Sequence, residues 1–505
     1  MTKLQSTHRL NWRAARWVVL AAAIPALWAC NARRLAKPEP APSSSTNDLF
    51  QQAINRNLDI VFMVDDSSSM TKLQNKLTAN FPVFMNVLKN LPGGLPNVHI
   101  GVVSSSMGAG RNQGISHCMA SNSLGTGNDQ GVFHTQPLGT TCAKASLNAG
   151  QNFIINVNGQ PNYTGDIADV FSCIAALGEG GCGFEHQFES VLRALGADGA
   201  PGPPQNAGFL REDAYLAIIL ITNEDDCSAP PDSNLFDGNT TTDPLTEPLG
   251  PLQSYRCNEF GHLCGGKAPP RMPVGKDDLT GTCVSAEDGR LLKVSDVVAA
   301  MKGIKKDPNK VLVAAIAGPN KPYVVEMAGV DGMMGVMWPQ VDHSCMAADG
   351  TFADPSVRIQ QWVDGFGGNG LFEVICNDTF EPALMGVANE IGKRIGAPCV
   401  GGTVLAADGT VWQPGATLPD CVVIDHQTNA DGTVIDSTLL ACPAGQTTGA
   451  TACWHLDAGG TSCPGQFAMG FNRPGAAVTS SLDSSVSCSI LACPAGTKQT
   501  ATGCM

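Results

Sequence analysis

Apolar residues in the first two thirds of the chain fall into two kinds of run. Short, nearly continuous runs are typical of strands buried on both faces of a parallel sheet. They lie at 58–64, 98–103, 214–221, 311–317 and, as an outer strand, 371–375. Apolar residues three or four positions apart predict amphipathic helices at 70–91, 184–195, 294–304 and 384–395. Strands alternating with helices predict a doubly wound, mainly parallel α/β fold.

Two Gly- and Pro-rich segments that carry cysteines interrupt this pattern, at about 107–180 and 228–292. We predict that they are disulfide-held insertions in one α/β domain over 58–398. After Cys399 the helical period ends, and short β-type runs alternate with Asp-Gly turns. Residues 440–445 (LACPAG) recur at 491–496, each copy followed by a second cysteine at the same distance. We therefore predict a separate β-rich module over 399–505, with disulfide candidates Cys442, Cys453, Cys493 and Cys504.

The N-terminus has the pattern of an export signal over 1–29, in which basic residues precede a short apolar run. Leu27-Trp28-Ala29-Cys30 resembles a bacterial lipobox, which implies that Cys30 carries a lipid anchor. Ordinary cleavage near Ala29, giving a free protein, is the alternative. Residues 30–57 would then comprise the anchor and a flexible tether. No later apolar run is long enough to cross a bilayer.

The charge of the chain restricts its partners. The formal net charge is -14, and removing residues 1–29 takes away four Lys/Arg and no acid, which leaves -18. Such an acidic chain repels nucleic acid and anionic headgroups. We therefore expect no nucleic-acid partner, and membrane contact through the lipid anchor only.

The cysteines indicate the compartment. Cys30 apart, 18 of the 19 cysteines remain, ten of them between Cys118 and Cys376 and eight from Cys399 onward. No Cys-x-x-Cys occurs, which argues against zinc ribbons and thioredoxin-like sites. We expect up to nine disulfides in an oxidising compartment.

The candidate chemistry lies after the first buried strand, where VFMVD runs into Ser67-Ser68-Ser69 ahead of a helix. Asp-x-Ser-x-Ser at this place resembles the metal-ion-dependent adhesion site of von Willebrand factor A (VWA) domains. The resemblance implies that Asp65, Ser67 and Ser69 bind a divalent cation: Mg2+, Mn2+ or Ca2+. The bare alternative is a polar turn that caps the helix.

The other two loops of the family's site match less closely. The second loop normally supplies Thr, and Glu179 is the best positional match here. Asn223 stands where the third loop usually carries Asp, and Asp225 is the residue that would compensate for it. A solvated acidic loop over 224–226 is the alternative.

More of the chain resembles Cys-rich VWA lipoproteins of myxobacteria and related bacteria. The matching segments are 101–105, 181–185, 224–228 and 315–319. This resemblance implies an exported outer-membrane or cell-surface lipoprotein, with a periplasm-facing position still open.

The function expected from these features is a binding or adhesion module, not an enzyme. The partner would be a protein or glycan that offers an acidic group to the cation. Neither His-Glu-x-x-His nor Gly-x-Ser-x-Gly occurs. One alternative is a metal-independent structural envelope protein with a degenerate site; a second is a secreted hydrolase with an unrecognised site in the insertions.

Overall fold

The structure is a computed structural model of the 505-residue chain. It describes residues 44–51, 56–91, 95–112, 114–119, 128–137, 140–240, 243–275, 283–330, 333–395, 399–415, 417–428, 433–447, 450–458, 466–474, 482–491, 499–500 and 503–504. The predicted signal and Cys30 lie outside these residues.

The α-helices are α1 (Thr71–Lys89), α2 (Ile167–Ile174), α3 (Gln187–Leu195), α4 (Tyr255–Gly261), α5 (Val294–Lys302), α6 (Val357–Gly365) and α7 (Glu381–Ile395). The strands up to residue 395 are β1 (Ser44–Gln51), β2 (Asn57–Val64), β3 (Asn97–Ser104), β4 (Ser146–Leu147), β5 (Ile154–Val157), β6 (Gln160–Pro161), β7 (Tyr163–Thr164), β8 (Tyr215–Ile221), β9 (His262–Cys264), β10 (Cys283–Ser285), β11 (Val311–Ala317), β12 (Val325–Val330), β13 (Met333–Val341), β14 (Cys345–Met346), β15 (Phe352–Ala353) and β16 (Gly370–Val374). The later strands are β17 (Cys399–Val400), β18 (Cys421–Thr428), β19 (Val434–Leu439), β20 (Cys453–Ala458), β21 (Phe467–Asn472), β22 (Leu482–Ile490), β23 (Gln499–Thr500) and β24 (Gly503–Cys504).

The central sheet has seven strands in the order β16-β11-β8-β2-β3-β5-β6. The five strands from β16 to β3 are parallel, and β5 and β6 extend the edge antiparallel. Every residue of β8 and β11 is buried, as their continuous apolar sequences predict. The predicted α/β fold with a mostly parallel sheet is therefore confirmed.

Helices cover both faces of this sheet. Successive side chains of a strand point to opposite faces, so Phe62 joins the apolar cluster that includes α1, α2 and α7, and Met63 joins the cluster that includes α3, α5 and α6. The two faces together bury the sheet. The carboxyl ends of β2 and β8 consequently open at one common edge, between the two layers of helices.

Two elements differ from the sequence-based expectation. The segment 107–180, predicted as an insertion of loops, also contains α2 and the edge strands β5 and β6. The segment after β11 forms the hairpin β12–β13, which the apolar pattern does not indicate. Both sets of strands are short or half-exposed, so neither has the continuous apolar run by which the central strands are recognised.

Disulfides join the cysteines of the insertions. The described bonds are Cys118–Cys182, Cys142–Cys173, Cys227–Cys257, Cys264–Cys283, Cys345–Cys376, Cys421–Cys488 and Cys442–Cys453. The predicted disulfide-rich character is confirmed, and it is typical of an exported protein. Cys493 lies outside the described residues. None of the helices described is long and apolar enough to cross a membrane.

Residues from Cys399 onward form sheets of their own around a separate apolar cluster that includes Trp412 and Trp454. The eight residues Ser44–Gln51, which lie within the predicted tether, also belong to one of these sheets. Ser44–Gln51 forms β1 and pairs antiparallel with Leu482–Ile490 in an order of β1-β22-β18-β19. This pairing gives backbone hydrogen bonds to the edge of β22. The partner strand is distant in the sequence, so the polar composition of Ser44–Gln51 does not indicate the pairing.

Candidate metal centre

Asp65 is fixed at the carboxyl end of β2. Its backbone N–H donates to the carbonyl oxygen of Ile221 at 2.9 Å. The hydrogen bonding between β2 and β8 therefore continues for one residue after β2 ends. A turn closed by the bond from Met70 N to Ser67 O (3.1 Å) then leads into α1. A strand-to-helix turn at this edge of a parallel sheet exposes its side chains and backbone to a ligand.

The carboxylate of Asp65 is buried and held from several sides. Oδ1 accepts hydrogen bonds from Ser67 N at 2.8 Å and from Ser105 Oγ at 3.3 Å, and Oδ2 accepts one from Thr222 Oγ1 at 2.6 Å. Gln74 Nε2 donates to the backbone carbonyl of Asp65 at 2.8 Å. Burial raises the pKa of Asp65, although the hydrogen bonds from these hydroxyls oppose the rise.

The two serines and Asn223 face one another beside Asp65. Ser67 Oγ and Ser69 Oγ are 3.5 Å apart, and Ser69 Oγ donates to Asn223 Oδ1 at 3.1 Å. The amide nitrogen of Asn223 donates to the carbonyl of Phe352 at 3.3 Å, which sets the direction of its oxygen. The structure therefore brings Asp65, Ser67, Ser69 and Asn223 together.

Glu179 has a different environment. It is exposed on the loop between α2 and α3. That loop is anchored on both sides of it: Gln74 bonds the backbone N–H and carbonyl of Gly178, both at 3.0 Å, and Gly181 N donates to Asp66 O at 2.9 Å. Among the described residues, Glu179 makes no hydrogen bond or ion pair with the side chains around Asp65.

Asp225 is buried and its oxygens are already used. Oδ2 accepts hydrogen bonds from His262 Nε2 and from Arg358 N, both at 2.8 Å, and Oδ1 accepts one from Ile359 N at 3.1 Å. It therefore caps the N-terminus of α6. Burial alone would raise the pKa of Asp225, but the bond from His262 and the positive charges nearby bring it below its ordinary value. These bonds give Asp225 a structural role at the start of α6.

Two carboxyl groups that the sequence analysis does not select lie near Asp65. Glu185, two residues before α3, is 2% exposed, and Glu224, three residues after β8, is half-buried. Burial, the neighbouring carboxyl group of Glu224 and the charge of Asp65 hold the pKa of Glu185 well above its usual range. Burial and the charges of Asp354 and Asp65 raise the pKa of Glu224 to about 8. Their signal in the sequence is a carboxylate directly before a helix and just after the central strand.

The acids around this edge of the sheet divide into two groups. The acids with a basic partner are Asp225 with His262, Asp226 with Arg358, and Asp354 with His343. The acids that form no ion pair with the described residues are Asp65, Asp66, Glu185 and Glu224. Buried carboxylates without positive partners are costly unless they take up protons or cations. The second group is therefore the part of the cluster that a cation would stabilise.

The chemistry of these side chains fits a hard divalent cation. Carboxylate, hydroxyl and amide oxygens are the ligands that Mg2+ and Ca2+ prefer. Over the described ranges, no three His, Cys, Asp or Glu side chains form a group that could hold a metal ion. A cation at Asp65 would therefore depend on the hydroxyl oxygens of Ser67 and Ser69 and on water.

Gly181 packs directly against Asp66, and this gives a test of the loop. A Cβ on Gly181 would lie 2.6 Å from the carbonyl oxygen of Asp66 and would also meet its carboxylate. We expect Gly181→Ala to lower the free energy of unfolding by about 1–3 kcal/mol, because the buried backbone must shift. Urea denaturation would measure it.

The control for this substitution is Gly183→Ala in the same loop. A Cβ there meets nothing within 4 Å, so the change should stay within about 0.5 kcal/mol of the parent. Equal stability of the Gly181→Ala and Gly183→Ala variants would contradict the close contact with Asp66.

Comparisons with known proteins do not assign a family. No family model matches the chain, and no curated protein matches it. Among solved structures, the pilus adhesin SpaC from Lactobacillus rhamnosus GG aligns at 12% identity and a TM-score of 0.31, over 88% of this chain and 40% of its own. The pilus adhesin RrgA from Streptococcus pneumoniae aligns at 10% and 0.26, over 88% and 58%. The human COPII-coat protein Sec24c aligns at 8% and 0.27, over 89% and 47%.

The chain thus spans less than two thirds of each of these structures. Likenesses at such TM-scores and identities carry no argument about function.

Proposed function

We propose that this protein is an exported binding module of the VWA type, in which a divalent cation held by Asp65, Ser67 and Ser69 joins a protein or glycan partner to the cell envelope. The observation that carries the proposal is the convergence of these three side chains with Asn223 at the carboxyl ends of β2 and β8. The doubly wound VWA fold is part of the same proposal, supported by helices on both faces of a mostly parallel sheet.

The position of the serines supports binding to an outside partner. Asp65 is buried, whereas Ser69 is partly exposed and Ser68 is exposed. A cation here would therefore have protein oxygens on its inner side and solvent on its outer side. When bound, Mg2+, Mn2+ or Ca2+ supplies a positive centre whose outer positions accept an oxygen ligand. Because few carboxylates neutralise it, an acidic group of the partner is the ligand that it favours.

The envelope location rests on two features of the chain. Seven described disulfides are typical of an oxidising compartment. The lipobox-like segment ending at Cys30 makes a lipid anchor the proposed attachment to the outer membrane or cell surface.

Ser104, Asp129 and His134 are buried together, and these three residue types could in principle form a hydrolase site. Ser104 Oγ at 2.7 Å and His134 Nε2 at 2.9 Å both hydrogen-bond to the same atom, Oδ2 of Asp129. The serine therefore donates to the carboxylate and not to the histidine, which leaves it without the general base that a nucleophile needs. This cluster gives no support to the hydrolase alternative.

The second candidate function is a metal-independent structural protein of the envelope. One observation favours it: Asp65 already accepts hydrogen bonds from Ser67, Ser105 and Thr222, and Ser69 is bonded to Asn223. Such a network stabilises the loop without a cation. The two candidates differ in whether partner binding responds to removal of divalent cations.

The test uses Ser69→Ala with Ser68→Ala as its matched control. Immobilised protein should capture an envelope component in Mg2+ or Mn2+ and release it in EDTA. Ser69→Ala removes a proposed cation ligand and should weaken capture by about tenfold, equivalent to about 1.4 kcal/mol. Ser68 is exposed, and its side chain makes no hydrogen bond to the described residues of the site, so Ser68→Ala should bind as the parent does. Identical capture with and without EDTA would favour the structural alternative.

A further inference from the structure

Glu185 and Glu224 are tied to the same framework as Asp65. Gln187 Nε2 donates to Thr222 Oγ1 at 3.0 Å and to the carbonyl of Glu224 at 3.3 Å, and the same hydroxyl of Thr222 bonds Asp65. On the other side, Cys227 N donates to the carbonyl of Glu185 at 2.7 Å. The start of α3 and the loop after β8 are thus held together, and the carboxyl groups of Glu185 and Glu224 are neighbours.

Two oxygens at this place are buried without hydrogen-bond partners. They are Oε1 of Glu185, which is 2% exposed, and Oε1 of Gln187, which is 0% exposed. A fully buried oxygen acceptor with no donor is rare in folded proteins, and an ion is among its ordinary explanations. The amide nitrogen of Gln187 donates to Thr222 and to the carbonyl of Glu224, and these two bonds fix the orientation of the amide group and therefore of its oxygen.

The charge at this place points to the same kind of ligand. Neither Glu185 nor Glu224 forms an ion pair within the described part of the chain, whereas Asp225, Asp226 and Asp354 each have a basic partner. Two carboxyl groups in mutual contact and half or fully buried repel each other unless a proton or a cation lies between them.

We infer that Glu185 and Glu224, together with the amide oxygen of Gln187, form a second cation site of the Ca2+ class beside the Asp65 site. Ca2+ accepts six to eight oxygen ligands, and it takes carboxylates as mono- or bidentate ligands and amide carbonyls. The position is separate from Asp65, because within the described residues no three acidic side chains form a group that could hold one ion. The inference extends beyond the proposed function, since its ligands are not those of the Asp65 site.

The experiment counts bound Ca2+ by equilibrium dialysis on the full exported chain at neutral pH. The parent protein should bind two ions. Glu224→Gln and Glu185→Gln should each bind one, because each removes a carboxylate of the second site while preserving shape. Asp65→Asn should also bind one. Glu179→Gln is the matched control: it removes an exposed carboxylate from the adjacent loop and should retain both ions.

The outcomes separate the second site from the Asp65 site. One ion that Asp65→Asn loses and Glu224→Gln retains would overturn the second site and leave the proposed function intact; a shared proton would then link the two glutamates. One ion lost in Glu224→Gln and kept in Asp65→Asn would support the second site and would limit the cation at Asp65 to Mg2+ or Mn2+. No bound Ca2+ in the parent would overturn the second site, and the same dialysis in Mg2+ and Mn2+, again without a bound ion, would overturn the proposed function as well. Far-UV circular dichroism of each glutamine variant would establish that it folds.

Discussion

Replacing Arg358 with methionine is expected to lower the free energy of unfolding by about 3–5 kcal/mol, because it leaves a buried carboxylate without its counter-ion. Arg358 is 0% exposed, and its Nε and Nη2 donate to Asp226 Oδ2 at 3.2 and 3.0 Å. Its Nη1 donates to Ser285 Oγ at 2.9 Å and its Nη2 to the carbonyl of Leu292 at 2.6 Å. The guanidinium therefore joins α6 to the loop after β8 and to the second insertion.

The loss would extend beyond one ion pair, since Asp226 also holds α3. Its Oδ1 accepts hydrogen bonds from Phe188 N at 3.0 Å and from Ser228 Oγ at 2.6 Å. Burial raises the pKa of Asp226, while the charge of Arg358 opposes the rise, so removing the arginine favours protonation of this carboxyl group. A protonated Asp226 is a weaker acceptor for the N-terminus of α3.

Urea denaturation of Arg358→Met would measure the effect. The control is Arg193→Met, which removes a partly exposed pair at 3.4 Å from Asp198 and should cost at most about 1 kcal/mol. The double variant Asp226→Asn, Arg358→Met should be less destabilised than the two single variants together, because neither then leaves a charge unpaired. Similar stability of Arg358→Met and Arg193→Met would contradict the buried ion pair.

The central fold could be predicted from the sequence because its strands are buried on both faces. Tyr215–Ile221 and Val311–Ala317 contain only apolar residues, and both are interior strands of the sheet. Ile154–Val157 has no comparable run, because only its first residue is buried and it pairs at the edge. The spacing of apolar residues in a sequence indicates which segments are buried, and it gives little indication of a half-exposed strand near the edge of a sheet.

The candidate site could be predicted as far as the turn that follows β2. Asp65, Ser67 and Ser69 lie on one short turn, so their mutual proximity is a local property. Which glutamate of the second loop is buried depends on long-range contacts. The backbone of Glu185 is held by one hydrogen bond from Cys227 N and its side chain is buried, whereas Glu179 is exposed.

Asp225 shows the same limit in the third loop. It lies two residues from Asn223, yet its partners are His262, 37 residues away, and the backbone of α6. No local rule relates these segments in the sequence. The carboxylate that best replaces the missing Asp by position is therefore engaged as a helix cap, and only the three-dimensional arrangement reveals it.

The cation at Asp65 is the second prediction with a large expected effect. A ligand that binds only the folded state stabilises it by about 2.7 kcal/mol at 100 times its dissociation constant. Asp65 contributes the carboxylate to which Ser67 and Thr222 are already bonded. Asp65→Ala should remove the part of the cation response that comes from the Asp65 site, and it should also release the buried hydroxyl of Thr222 from its acceptor.

The most direct measurement is the thermal midpoint of the oxidised exported chain, titrated with Mg2+, Mn2+ or Ca2+ and then with EDTA, alongside Asp65→Ala and Ser68→Ala. We expect the midpoint of the parent and of Ser68→Ala to rise with at least one of these cations and to fall back in EDTA. The midpoint of Asp65→Ala should rise less, because only the Glu185–Glu224 site then remains to bind Ca2+. A parent midpoint that is the same in saturating cation and in EDTA, or an Asp65→Ala variant that shifts as far as the parent, would contradict a cation site at Asp65.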